Sequence, residues 1–171
     1  LIPALDKVGD RYESGEIFLP QLVQSAETVK EAFTVLKTEM AQTGGRDISK
    51  GEIVMATVKG DVHDIGKNIV KTVLENYGYQ IIDLGRNVNI KEVVNAVKEN
   101  QIKLLGLSAL MTTTVKNMEK TIAAVREKAP KCKIMVGGAV LTSDYADMIK
   151  ADFYAKDAKE AVEIAKKIFG E

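Results

Sequence analysis

After Lys50 the chain alternates short apolar runs with helix-period segments five times, and this alternation constrains the fold more than any other feature of its 171 residues. Residues 53–58, 80–85, 104–109, 133–138 and 152–155 read as strands. Most are continuous runs of Val, Ile, Leu, Met and Ala rather than apolar–polar alternations, which is the pattern of strands covered on both faces. Helical spacing of apolar residues recurs near 66–77, 90–99, 113–128, 143–149 and 158–169, with Pro130 stopping the third helix. This succession predicts a doubly wound parallel sheet of five strands, because a helical crossover is what lays each new strand parallel to the last. Ligands of such sheets sit at the carboxyl ends of the strands, where the strand order reverses. The loops that follow the strands are therefore where chemistry is expected.

Residues 43–50 break the pattern. Thr43-Gly44-Gly45-Arg46-Asp47 holds turn formers and no apolar period, so a boundary is expected there, dividing the chain into 1–45 and 46–171. Before it, Leu22, Val23, Ala26, Val29, Phe33, Leu36 and Met40 mark one face of a helix opening at Pro20, whose missing N–H costs nothing in a first turn. A shorter helix over 2–12 precedes it, and Ser14-Gly15-Glu16 separates the two. Two amphipathic helices leave apolar surface uncovered, so further helices or a partner surface are expected to complete this part. The chain starts at Leu1 rather than a methionine and reads as a fragment, a processed chain or one module of something longer.

Charge and cysteine content narrow the function. Lysine plus arginine (24) equals aspartate plus glutamate (24), so no basic field draws the chain to a phosphate backbone, and nucleic acid is not an expected partner. The single cysteine, Cys132, cannot make an internal disulfide. No apolar run reaches the roughly 18 residues of a membrane span, and no signal peptide is evident, so the reading is cytoplasmic without a membrane partner. Cys132 lies between Lys131 and Lys133 at the start of the fourth strand, far from the ligand end, and is expected to be an inert thiol at the core edge.

The loop after the first strand, Gly60-Asp61-Val62-His63-Asp64-Ile65-Gly66, contains the only histidine. Asp61, two residues earlier, can accept the imidazole N–H and fix its tautomer, as a metal-ligating histidine requires. Gly66 lets the backbone pass close to a bulky group. Zinc would need three or four protein ligands, and the only histidine and the only cysteine lie in different segments. A metal that brings four equatorial ligands of its own needs just one histidine, which points to a macrocycle, haem or corrin.

Here a resemblance becomes specific. Asp61-Val62-His63-Asp64-Ile65-Gly66 matches the D-x-H-x-x-G motif of cobalamin-binding domains, Ser108-Ala109-Leu110 their S-x-L and Gly137-Gly138 their GG, following strands one, three and four. Glu13-Ser14-Gly15-Glu16-Ile17-Phe18-Leu19-Pro20-Gln21-Leu22 is similar to the helical cap of methyl-transferring corrinoid proteins. Across nearly its whole length the chain resembles the cobalamin-binding module of cobalamin-dependent methionine synthase, most closely from Gly60 to Val70. The small corrinoid proteins of methanol and methylamine metabolism are similar too.

The resemblance implies a flavodoxin-like (Rossmann-like) five-stranded sheet preceded by part of a helical cap bundle. It implies cobalamin as cofactor, its nucleotide base displaced and His63 in its place as the lower axial ligand of cobalt. Asp61 would accept from His63, and the Thr114 hydroxyl would complete a relay to solvent, with Thr112 and Thr113 as possible substitutes. The displaced tail would enter a slot beside Ser108, Leu110, Gly137 and Gly138, where small residues leave room for a ribose and a flat base. Asp64 would cap the next helix or touch the corrin edge, and Asn68 would hydrogen-bond a corrin amide. Tyr12, Leu19 and Leu22 would form an apolar lid over the methyl group.

The implied function is methyl carriage, with cobalamin cycling between cob(I)alamin and methylcob(III)alamin. Methyltetrahydrofolate is the expected donor and homocysteine the acceptor, each on a partner domain, with any zinc confined to a separate module. The alternatives are a small corrinoid protein of methanol or methylamine methyl transfer and a cobalamin-dependent sensor. A phospho-receiver shares the fold, but it needs an aspartate where Ser108 ends the third strand.

Overall fold

The computed structural model describes residues 2–43 and 49–170. Two helices open the chain, α1 (Ile2–Glu13) and α2 (Leu19–Thr43). Strands and helices then alternate: β1 (Glu52–Thr57), α3 (Ile65–Asn76), β2 (Gln80–Asp83), α4 (Ile90–Glu99), β3 (Leu104–Ser108), α5 (Thr112–Lys128), β4 (Lys133–Gly137), α6 (Ser143–Met148), β5 (Phe153–Tyr154) and α7 (Ala158–Phe169). The five strands form one parallel sheet in the order β2-β1-β3-β4-β5. The chain moves outward from β1 to β2 and then crosses back to β3 on the other side of β1, so the order reverses between β1 and β3. That reversal opens a crevice above the His63 loop.

Period-two side-chain direction divides the core in two. Val54, Ala56 and Val58 face a cluster built with Val93 of α4, Met118 and Ile122 of α5 and Ala146 of α6. Ile53 and Met55 face the opposite cluster, with Val73 and Leu74 of α3 and Ala161 and Val162 of α7. Both faces are covered, which is why the strands read as unbroken apolar runs.

Strands end one to two residues before the apolar runs do, because backbone conformation stops them. Gly85 (φ 85°) and Gly138 (φ 135°) turn the chain out of β2 and β4. Beyond β1, Val58 makes only an isolated parallel bridge to Val88.

The boundary expected at residue 45 lies outside the described residues, as do the side chains of Ala26, Phe33, Leu36 and Met40 on the expected apolar face of α2. Of the expected lid residues, Leu22 is fully buried in the core cluster with Ile53, Leu74 and Tyr77, and Tyr12 and Leu19 pack partly buried against the same cluster. The α1–α2 pair lies close along α3, with a Cβ added at Gly9 falling 2.5 Å from the Tyr77 hydroxyl oxygen. The apolar side chains expected to form a lid are used here in helix packing, since an apolar stripe specifies burial but not the neighbour that supplies it.

Candidate functional site

Asp61 organises the carboxyl end of the sheet. It follows β1 in a turn closed by its own N–H on the Val58 carbonyl (3.0 Å), and its side chain is fully buried. Oδ1 accepts from the His63 backbone N–H at 3.0 Å and meets His63 Nδ1 at 2.9 Å. Oδ2 accepts from the backbone N–H groups of Leu110 (2.7 Å) and Met111 (3.2 Å) and from Thr114 Oγ1 (2.8 Å). Burial alone would raise the carboxyl pKa, but the donors from His63, Leu110 and Thr114 outweigh it and hold the group well below the usual aspartate value.

A carboxylate only accepts, so the ring proton of His63 belongs on Nδ1 and the lone pair on Nε2 faces away from Asp61. The His63 side chain is about half exposed, 46% against 0% for Asp61. Thr114 is buried in the first turn of α5, and its single hydroxyl proton is shared between Asp61 Oδ2 and the Met111 carbonyl at 2.7 Å. The Asp61–His63–Thr114 arrangement is thus present as geometry. Thr112 and Thr113 are exposed at the start of α5, and neither replaces Thr114.

Around His63 the surface is apolar where loops are ordinarily polar. Val62, Ile65, Ile69 and Leu110 are all exposed, and Gly66 has open space where a side chain would stand. Such a rim suits a flat, largely apolar ligand laid over the imidazole.

Asp64 occupies the N-cap position of α3 but makes no side-chain cap bond, because its backbone (φ −120°, ψ 3°) is not in the extended conformation that aims a cap side chain at the first turn. The capping half of its expectation is therefore not met. Asn68 accepts from Lys67 Nζ through Oδ1 at 2.9 Å, leaving its Nδ2 free to donate.

The glycine pair after β4 is more than a turn. A Cβ at Gly138 would fall 1.9 Å from the Ala109 carbonyl oxygen, and one at Gly137 would meet the Ala155 carbonyl oxygen at 3.0 Å. Only glycine permits this approach of the loops after β3 and β4.

Two supports were not anticipated from sequence. Lys67 is buried and pairs with Asp83 at 2.6 Å, and Lys71 reaches the other Asp83 oxygen at 3.0 Å, tying α3 to the end of β2. Asn87, at φ 53°, accepts the Gly60 N–H at 2.9 Å and donates its own N–H to the Asp61 carbonyl at 2.9 Å, bracing the His63 loop. The signal was an asparagine, a residue that tolerates positive φ, directly after Gly85-Arg86. Cys132 is buried as expected, and burial pushes its thiol up to about 12. Among the described residues, no three of His, Cys, Asp and Glu gather as a metal held by protein ligands alone would require. No described helix is long and apolar enough to cross a membrane.

Comparison with known proteins bears directly on this site. Two family models, both described as B12 binding domain, match residues 51–165 and 1–37. The chain is 42% identical over 171 residues to dimethylamine corrinoid protein 2 of Methanosarcina acetivorans, covering 98% of this chain and 78% of that one. It superposes on the methanol:cobalamin methyltransferase complex MtaBC of Methanosarcina barkeri with TM-score 0.90 and 33% identity, covering 99% of this chain and 65% of that chain. The monomethylamine corrinoid protein of the same organism gives TM-score 0.66 at 33% identity, covering 96% and 78%. Two of these are named corrinoid proteins and one a methanol:cobalamin methyltransferase complex, and none is the methionine synthase placed first from sequence.

The residues fit the group these names imply. A single imidazole turns its Nε2 away from Asp61, an apolar rim surrounds it, Gly66 leaves space beside it, and the Thr57 hydroxyl beneath the strand ends is buried without a partner among the described residues. Matched by its family over both parts and along most of its length, the chain belongs to the B12 binding domain family of corrinoid proteins, and cobalamin is its cofactor.

Proposed function

We propose that the chain is a corrinoid methyl carrier, working between methyltransferases of the methylamine or methanol type, with His63 as the lower axial ligand of cobalt. The Asp61–His63 pair carries the reading: a buried carboxylate holds Nδ1–H and turns the Nε2 lone pair outward, into an apolar rim. Relatives that are dimethylamine corrinoid proteins favour this over delivery to homocysteine from a folate. Bound cobalamin supplies a cobalt that accepts a methyl group from one partner and yields it to another.

The chain's own residues do the rest. Asp61 keeps the imidazole in one tautomer and orientation. When His63 is not ligated, its Nε2 is free to take up a proton, and the carboxylate of Asp61 faces the resulting cation. Thr114, bonded to the other carboxylate oxygen, completes the link toward the start of α5. Asn68 Nδ2 and the Ser108 side chain provide polar contacts at the margins of the corrin and its tail, and the apolar rim excludes water from beneath the ring.

Incubation with hydroxocobalamin followed by gel filtration tests the reading. The wild-type chain should retain the cofactor with the visible spectrum of a nitrogen-ligated, base-displaced form. His63→Gly should bind more weakly and show the spectrum lacking a lower nitrogen ligand. An unchanged spectrum in that variant refutes the axial assignment. Failure of the wild type to retain colour refutes the whole reading. Methyl transfer from dimethylamine, but not from methyltetrahydrofolate, in the presence of the corresponding methyltransferases would separate the donor classes.

A further inference from the structure

At the carboxyl edge of the sheet, Thr57 of β1 is in register with Ser108 of β3, and Ser108 with Gly137 of β4. Strand alternation points all three to the face covered by α3 and α7, because Met55, Leu104 and Met135, two or four residues earlier on these strands, belong to that cluster. One row deeper lie Met55, Gly106 and Met135, and the two methionine side chains close over the glycine, 3.4 and 3.5 Å from where its Cβ would be. The arrangement sets a row of small residues over flexible thioethers, side chains that can shift to admit a ring.

One atom in it has no internal explanation. Thr57 is fully buried and its Oγ1 has no hydrogen-bond partner among the described residues. A buried hydroxyl without a partner is costly, and native interiors rarely tolerate one. Asn76, which also lacks side-chain partners among the described residues, lies at the far end of α3, away from the strand-end loops. Thr57 instead shares its row with the partly exposed Ser108, at the crevice where this fold takes its ligand.

Building on the methyl-carrier reading, we propose that Thr57 is a further cofactor-binding residue. Its hydroxyl donates a hydrogen bond to a heteroatom of the displaced nucleotide tail and makes the slot selective for corrinoids that carry a heterocyclic base. The partner missing from the protein is then supplied by the ligand, so the group that weakens the empty chain strengthens the loaded one. A merely structural threonine would not show that opposition of signs.

Equilibrium binding of cobalamin and of cobinamide, which has the same corrin but no nucleotide, to the full chain and its Thr57 variants tests this. Thr57→Val removes the hydroxyl and keeps the shape. It should weaken cobalamin about ten-fold, equivalent to about 1.4 kcal/mol, leave cobinamide within about two-fold, and melt at or above the wild-type temperature when empty. Thr57→Ser should restore cobalamin affinity. Equal cobalamin affinity in wild type and Thr57→Val would overturn the proposal, as would a lower melting temperature with parallel loss of both ligands. A wild type that binds both corrinoids equally would refute the tail slot, whereas one that binds neither would refute the methyl-carrier reading itself.

Discussion

Asp61 and Asp152 are two aspartates at opposite ends of the same sheet, satisfied in different ways. Asp152, just before β5, accepts from Arg126 Nη2 (2.8 Å) and the Ile134 N–H (2.9 Å) on one oxygen and from Lys133 Nζ (3.0 Å) on the other. Arg126 also donates to the Lys150 carbonyl at 2.8 Å, so α5, β4 and the approach to β5 are tied together. Asp61 has five such contacts to the three of Asp152, but apart from the imidazole of His63 they are backbone N–H groups and a hydroxyl. For both groups burial pushes the carboxyl up, and donors pull it below the ordinary value of 3.8. The lesson is in the charge left over. Cations neutralise Asp152, which makes it a closed structural joint, while Asp61 keeps a field directed through His63 toward whatever binds above it.

The carboxyl end itself holds positions of opposite tolerance, and the largest expected effect tests that. Gly138→Ala should cost about 3 kcal/mol or more in denaturant unfolding, since its Cβ would collide with the Ala109 carbonyl at a backbone angle that side chains rarely adopt. Gly66→Ala, in open space within α3, should leave stability unchanged or slightly raised while impairing cobalamin retention. If both prove silent, the strand-end loops are looser than described.

Next in size, Asp61→Asn should destabilise by about 2 kcal/mol, because charge-assisted bonds are lost in a fully buried place. Asp152→Asn should cost nearer 1 kcal/mol, since Arg126 and Lys133 are one third to one half exposed and solvent screens them. Unfolding in low and high salt sharpens the contrast: salt should narrow the gap between wild type and Asp152→Asn and leave that for Asp61→Asn nearly unchanged. The reverse ranking would mean that the Asp61 donors are better solvated than their burial indicates.

The smallest effect is the acid limb. A carboxyl whose native pKa lies below its unfolded value contributes stability above about pH 4, and loses it as pH falls toward the depressed native value. Each asparagine variant should therefore flatten the fall in stability below pH 4, Asp61→Asn more than Asp152→Asn. Parallel acid limbs in all three proteins would contradict the depressed carboxyls.

Much of this architecture was legible in the sequence, for reasons that also explain what was not. Strands covered on both faces must be apolar throughout, so β1, β3 and β4 were plain, and Asp61, His63 and Thr114 follow β1 and β3 at positions where this fold concentrates ligand contacts. Leu22 is a lid residue by the family resemblance, but neither that resemblance nor the amphipathic period of its helix says that α2 would settle on α3. Thr57 went unnoticed because a threonine ending an apolar strand is a common β residue. Its significance rests on a missing hydrogen-bond partner, and that absence exists only in three dimensions. The Lys67–Asp83 pair spans 16 residues and two elements, beyond any local pattern.

The hydrogen bonds that Asp61 accepts from Leu110 and Thr114 bridge 49 and 53 residues of chain. Contacts so distant in sequence close late and only together with the sheet. The His63 loop therefore has no ordered existence as a peptide, and grafting it onto another scaffold would move the letters without the geometry. During synthesis the seat for the corrin is unfinished until β3 has joined β1 and the start of α5 is in place, so a newly made chain can receive its cofactor only after the sheet has grown at least that far.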